Sequence, residues 1–162
     1  MVKTLRLLVA IGFSVLLSST TTAQDAEQWI RYSAISPDGN KIAFTFKGNI
    51  YTVNANGGNA KQITYHQEHD FMPVWNNDGT KISFASNRFG DFDVFIIDAE
   101  GGESIRLTYH SANEYPYAFS HDNTRVIFGA QRLDDANHRQ YPTGSQPEVY
   151  TVPASGGRVD QL

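Results

Sequence analysis

SPDGNKIAFTFKGNIYTVNANGG, residues 36–58, returns in altered form as NNDGTKISFASNRFGDFDVFIIDAEGG, residues 76–102. Both stretches contain an Asp-Gly pair, the motif Lys-Ile-x-Phe, a second apolar run and a Gly-Gly pair in the same order. A third copy follows, because Asp122 stands 44 residues after Asp78. A sequence period of about 40 to 45 residues is typical of β-propeller blades.

Each copy is predicted to form four antiparallel strands. The Asp-Gly pair tolerates the positive φ angles that tight hairpin turns require. Lys41 to Phe46 reads as the second strand. Asn49 to Val53 and Val94 to Ile97 are apolar almost throughout, which is typical of strands buried on both faces. A short outer strand is then expected to end at Thr64 or Thr108.

The sequence therefore predicts an all-β fold, an incomplete β-propeller of about three four-stranded blades, with repeats at about 28–66, 67–110 and 111–162. A sandwich of similar hairpins and a β-solenoid are the alternatives, which the period and the repeated turns disfavour. Because propellers typically need about four to eight blades, three units are not expected to close a ring. We expect either a longer polypeptide or assembly with further copies.

Residues 1–23 are predicted to be a secretory signal peptide. Lys3 and Arg6 precede the apolar run LLVAIGFSVLL, residues 7–17, and small polar residues follow it. A membrane anchor is the alternative, but a spanning helix needs about 20 apolar residues. Cleavage between Ala23 and Gln24 would leave residues 24–162 as an exported chain without a membrane segment, in the periplasm or at the cell surface.

The charge and composition exclude some classes of function. The chain carries 13 basic and 17 acidic side chains, a formal charge of −4, and loss of Lys3 and Arg6 would change this to −6. A nucleic-acid-binding protein needs a basic surface to neutralise phosphates, so no nucleic-acid partner is expected. The absence of cysteine excludes disulfides and thiolate chemistry.

The candidate binding residues lie in the predicted connections between blades. His66 aligns with His110 and Asp70 aligns with Glu114, whereas His69 aligns with Asn113 instead of a third histidine.

Three interpretations of this set remain open. The histidines could bond neighbouring backbone groups, the set could contact peptides, or it could bind a divalent metal ion. Recurrence favours the first interpretation, and no metal site or cofactor is predicted. We also hypothesise that Asp70, Glu114 and the two recurring histidines form an acidic rim near the central channel, which attracts basic or N-terminal groups of peptides.

The third repeat contains an insertion, Gln131 to Pro147, where the second has a short hairpin. Insertions in repeat proteins fall in loops on one face, often the binding face. An idle surface loop is an equal alternative.

The recurring pattern SPDGxKIAFxxxGxIYxV, followed by Gly-Gly and Gln-Ile-Thr, resembles the propeller repeats of TolB and of tricorn-type serine peptidases. The resemblance covers about residues 28–162. It implies a propeller that filters or docks peptide substrates, with partners that include peptides, further blades and C-terminal domains of the same polypeptide. The serine nucleophile would then lie outside this chain, and no catalytic residue is predicted within it, since no G-x-S-x-G motif occurs. A TolB-like periplasmic module that binds proteins without catalysis is the alternative.

Overall fold

The computed structural model describes residues 30–132 and 147–162, and regular structure in those ranges consists of β-strands alone. The predicted signal peptide, residues 1–23, lies outside the described residues, as does most of the predicted insertion. In the described part of the chain, no helix is long and apolar enough to cross a membrane.

Twelve strands are described, four in each repeat. The first repeat contains β1 (Arg31–Ile35), β2 (Lys41–Phe46), β3 (Asn49–Asn54) and β4 (Lys61–Gln62). The second contains β5 (Asp70–Trp75), β6 (Lys81–Phe89), β7 (Asp91–Asp98) and β8 (Ile105–Arg106). The third contains β9 (Glu114–Phe119), β10 (Arg125–Ala130), β11 (Glu148–Pro153) and β12 (Asp160–Gln161).

Each repeat forms one four-stranded antiparallel sheet, and its strands lie side by side in sequence order. The first strands of the three sheets are neighbours, since β1 contacts β5 and β5 contacts β9. These sheets are therefore blades whose first strands lie on the inside of an arc. The predicted all-β class and the three four-stranded units of an incomplete propeller are confirmed.

The turn between the first two strands of each blade has the geometry expected from its Asp-Gly motif. Gly39, Gly79 and Asn123 adopt φ angles of 73°, 72° and 61°. The preceding aspartate caps the turn in each blade: the Asp38 carboxylate accepts a hydrogen bond from the Ser36 hydroxyl at 2.6 Å and from the backbone N–H of Asn40 at 3.1 Å. These bonds lower the pKa of Asp38 to about 2, and similar bonds give Asp122 a pKa of about 2.

Two apolar clusters lie between the blades, one at each junction. The cluster between the first and second blades includes Ile50, Trp75 and Phe84, and the cluster between the second and third includes Val94 and Phe128. The third strand of the second blade contributes to both, which explains why its apolar residues do not alternate with polar ones. Trp75 also donates its indole N–H to the Ala34 carbonyl oxygen at 3.0 Å, which links the first two blades.

The two junctions differ in their polar contacts on the side of the Asp-Gly turns. At the first junction, Glu100 accepts from Lys61 at 3.0 Å and also pairs with Lys41, and these bonds lower the pKa of Glu100. At the second junction, asparagine amides make the contacts: the backbone N–H of Asn77 donates to the Asn123 side-chain oxygen at 2.8 Å, and the Asn123 side chain donates to the Asp78 carboxylate at 3.3 Å. At the first junction, Pro37 stands at the position of Asn77 and Gly79 at the position of Asn123. Proline has no backbone N–H and glycine has no side chain, so the bond between Asn77 and Asn123 has no equivalent there.

Candidate functional site

The candidate residues lie on one side of the arc, which we call the connection face. It comprises the hairpin turns at 47–48 and 89–90 and the blade-to-blade connections 63–69 and 107–113. Backbone bonds hold these segments together, since the N–H of Asp70 donates to the Gly48 carbonyl at 2.8 Å. The side chain of Asn113 accepts the N–H of Phe92 at 3.0 Å.

His66 and His110 have the structural role that their recurrence predicted. The Nδ1 atom of His66 accepts the backbone N–H of Glu68 at 3.1 Å, and that of His110 accepts the N–H of Ala112 at 3.0 Å. Each imidazole therefore closes a short turn in its connection.

His69 lies in a different environment. Its backbone N–H donates to the Asn87 side chain at 2.8 Å, and its exposed imidazole packs against the Phe71 ring at 5.5 Å. The Nδ1 atom would lie only 3.3 Å from a Cβ at Gly48, so the absence of a side chain there makes room for the imidazole.

Asp70 and Glu114 do not form the exposed acidic rim that we predicted. Both side chains are 0% exposed. Arg88 binds both carboxylate oxygens of Asp70 at 3.0 Å. Arg132 binds Glu114 at 3.0 and 2.6 Å. A buried carboxylate requires such a partner, so these charges are neutralised beneath the connection face.

Sequence reasoning missed both arginines. Each lies over a stacked aromatic pair: the guanidinium of Arg88 is 4.5 Å from the Phe95 ring centre, and that of Arg132 is 4.8 Å from the Tyr150 ring centre. A signal was present, because Arg88 and Arg132 each follow the phenylalanine of the Lys-Ile-x-Phe strand by four residues and are 44 residues apart.

A further buried ion pair joins Asp93 on β7 to Arg106 on β8, with 2.7 Å between Oδ2 and Nη2. Burial raises the pKa of the Asp93 carboxyl, while the hydrogen bond from Arg106 opposes that rise. The pair ties the outermost strand of the second blade to its neighbour.

A pocket of about 580 Å³ opens on the connection face between the first and second blades. Its lining residues are Arg31, Tyr32, Thr45, Lys47, Gly48, Gln67, Glu68, His69, Phe71 and Phe92. His69 is thus the member of the predicted set that lines this pocket, and Asp70 lies buried next to it in the chain.

The pocket contains an unsatisfied polar group. Thr45 is 3% exposed, and its hydroxyl oxygen has no hydrogen-bond partner among the described residues. A buried hydroxyl without a partner is uncommon, because losing its bonds to water costs about 1–3 kcal/mol. The described ranges, 30–132 and 147–162, contain no group of three or more His, Asp or Glu side chains that could hold a metal ion.

The family described as the tricorn protease N-terminal beta propeller domain matches residues 27–162. Among curated proteins, dipeptidyl-peptidase 5 of Porphyromonas gingivalis is 34% identical over 71 residues, covering 38% of this chain and 10% of the relative. The chain thus spans about a tenth of that relative's length.

Two solved structures are similar in fold. A TolB protein from Agrobacterium tumefaciens superposes with a TM-score of 0.65 at 22% identity, over 82% of this chain and 48% of the TolB chain. The tricorn protease superposes with a TM-score of 0.58 at 14% identity, over 76% of this chain and 13% of the protease.

Proposed function

The chain belongs to the family of tricorn protease N-terminal β-propeller domains, and from that membership we propose that it is the propeller portion of an exported tricorn-like serine peptidase. The catalytic domain would lie outside these residues. The match to dipeptidyl-peptidase 5 supports a peptidase context.

Within such a peptidase, the propeller docks peptide substrates and controls their access to the catalytic domain. The observation that carries this proposal is the pocket beside His69, which lies at a junction of two blades and is large enough for about one or two side chains. His66, His69 and His110 reach the surface of the connection face. Asp70 and Glu114 lie beneath that face in this proposal, where they hold Arg88 near the end of β6 and Arg132 just after β10.

The test is the His69→Ala variant of the full-length protein. We expect a several-fold higher KM for peptides with little change in kcat, because a contact made equally in the ground state and transition state affects binding alone. The control is His121→Ala, which removes an exposed imidazole from the Asp-Gly turn side. Equal KM values for both variants and the parent protein would contradict docking at this face.

A TolB-like protein-binding module without catalysis is the second candidate. The TolB superposition favours it, since it covers 82% of this chain at a TM-score of 0.65. A serine-reactive fluorophosphonate probe separates the two, because a serine peptidase is labelled and loses peptide hydrolysis. Full-length protein that is neither labelled nor hydrolytic would favour the binding module.

Export is part of the proposal and rests on the predicted signal peptide, residues 1–23. We expect the cell-associated or secreted mature protein to begin at Gln24, which N-terminal sequencing after cell fractionation measures. A mature chain that still begins at Met1 would contradict this cleavage.

A further inference from the structure

The junction between the first and second blades departs from the junction between the second and third at equivalent positions. Strand register places Arg31 opposite Thr45 in the first blade and Phe71 opposite Ala85 in the second. The first blade therefore presents a cation and a hydroxyl where the second presents a ring and a methyl group. The repeat itself needs neither polar group, because the second blade forms the same sheet without them.

The two polar residues that distinguish the first blade from the second lie at the pocket. Arg31 and Thr45 both line it, and the Thr45 hydroxyl oxygen is one of three buried side-chain oxygens without a partner among the described residues, the others belonging to Asp93 and Glu114. This oxygen is buried in the pocket wall, and a ligand acceptor that reaches it would satisfy the hydrogen bond that the protein leaves unmade.

The charge of the lining favours an anion. Arg31 and Lys47 line the pocket, against the single carboxylate of Glu68. The nearby Asp70 carboxylate adds no free negative charge, because Arg88 binds both of its oxygens. Charge complementarity therefore selects a negatively charged group over the basic groups that an acidic rim would have attracted.

The remaining wall is aromatic. The Tyr32 ring packs edge-on against Phe71 with 5.2 Å between ring centres, and the Phe92 ring packs edge-on against Phe71 at 4.7 Å. Tyr32 has a φ of 52°, and the register between β1 and β2 shifts between Arg31 and Ala34. Such bulges re-aim side chains, and Met72 has a similar φ of 55° in the second blade. The bulge is therefore common to both blades, and in the first blade it places the Tyr32 ring in the wall of the pocket.

From these features we infer that the pocket binds an acidic side chain, Asp or Glu, within a peptide, with a neighbouring apolar side chain against the aromatic wall. The carboxylate lies between the Arg31 guanidinium and the Thr45 hydroxyl. The volume of about 580 Å³ exceeds the needs of a carboxylate alone and falls within the range of about 300–1,000 Å³ for small-ligand pockets. The inference rests on the proposed docking of peptides and names the class of peptide.

The test measures peptide binding by fluorescence anisotropy with the full-length protein, after fluorophosphonate treatment so that hydrolysis does not consume the probe. The probes are two labelled peptides, acetylated and amidated to remove terminal charges, with the sequences Ala-Glu-Leu-Ala and Ala-Gln-Leu-Ala. We expect the Glu peptide to bind about tenfold tighter, since hydrogen bonds to charged groups are the stronger class.

Two variants locate the contact. Arg31→Gln should weaken the Glu peptide about tenfold and leave the Gln peptide nearly unchanged. Thr45→Ala, which installs the residue that the second blade carries as Ala85, should weaken the Glu peptide roughly threefold or more. Lys81→Gln is the matched control, because it removes the same charge from an exposed pair with Asp98 outside the pocket. We expect no change for that variant.

Equal affinity for the two peptides would overturn the inference, as would an equal effect of Arg31→Gln and Lys81→Gln. Binding that requires a free C-terminal carboxylate, measured with the unamidated Gln peptide, would also overturn it. Peptide hydrolysis by untreated protein is measured in parallel. If the protein hydrolyses peptides but binds the Glu and Gln peptides equally, the acidic-peptide site is contradicted and the proposed function is not. If it prefers the Glu peptide but hydrolyses no peptide, the proposed peptidase function is contradicted and the acidic-peptide site is not.

Discussion

The junction between the first and second blades and the junction between the second and third are built on the same strand register but are filled differently. At the second junction, Phe71 and Phe92 pack against Tyr115 with ring centres 5.7 and 5.9 Å apart. At the first junction, Arg31 and Thr45 stand at the positions of Phe71 and Ala85, and a pocket remains. The residues that recur in each blade therefore specify packing, and the positions that depart from the repeat indicate where a binding site is to be expected.

The blades also differ in how they support the connection face. The second and third blades each contain a buried carboxylate–arginine pair, Asp70 with Arg88 and Glu114 with Arg132. In the first blade, β2 and β3 are joined by the two-residue turn Lys47-Gly48, with φ angles of 48° and 80°. Both residues adopt the positive φ angles that a two-residue hairpin turn of this class requires.

The largest effect is expected from breaking the pair in the second blade. Arg88→Met leaves the fully buried Asp70 carboxylate without its partner, and we expect a loss of about 3–5 kcal/mol of stability. Urea unfolding of the full-length protein measures it. Because paired removal takes away both buried charges, Asp70→Leu with Arg88→Met should recover most of the loss. A loss below about 1 kcal/mol for the single variant would place this pair with ordinary surface pairs.

A smaller effect is expected from giving the second junction the chemistry of the first. Ala85→Thr places a hydroxyl at a site that is 0% exposed, and we expect a loss of about 1–3 kcal/mol. The reverse change, Thr45→Ala, removes a hydroxyl that has no described partner and should leave stability unchanged or slightly higher. Hydrogen–deuterium exchange of strands β2 and β6 reports each effect locally. Equal destabilisation by both changes would show that the junctions do not differ as described.

The smallest effect is expected in the turns between the first two strands of each blade, where the capping aspartates Asp38 and Asp122 make similar hydrogen bonds. Asp38 and Asp122 have pKa values of about 2, lowered from 3.8 by turn hydrogen bonds. Because the folded state holds these carboxylates ionised, their contribution is present above about pH 4 and is lost as pH falls toward about 2. Asp38→Asn and Asp122→Asn should therefore flatten the fall of Tm over this window by similar amounts. Clearly unequal slopes of Tm against pH for the two variants would show that the first and third turns are not equivalent.

Much of the fold could be predicted from local sequence. The strand Lys41–Phe46 was predicted with its observed bounds, and the Asp-Gly turns have the expected positive φ angles. Turn chemistry and period depend on residues close in the chain, which explains this success. The bonds made by His66 and His110 were also predicted, because recurrence at a fixed spacing indicated a shared structural task.

The candidate site was less predictable. Asp70 and Glu114 were expected to form an acidic rim. Their burial depends on arginines 18 residues further along the chain, near the end of β6 and just after β10, and local sequence patterns do not reveal these pairs. The pocket was not predicted at all, since Thr45 and Arg31 read as ordinary members of two strands. A pocket between two blades depends on how their side chains pack against each other, and neither the repeat period nor the turn motifs contain that information. Whether the five predicted residues contact substrate stays a prediction.

The Lys41–Glu100 and Lys61–Glu100 contacts give the first junction a dependence on ionic strength that the amide bonds of Asn77 do not share. Because added salt weakens exposed ion pairs, high ionic strength would weaken these polar contacts of the first junction more than the amide bonds of the second. The first junction is also the one that contains the pocket, so the packing around the pocket would depend on salt concentration.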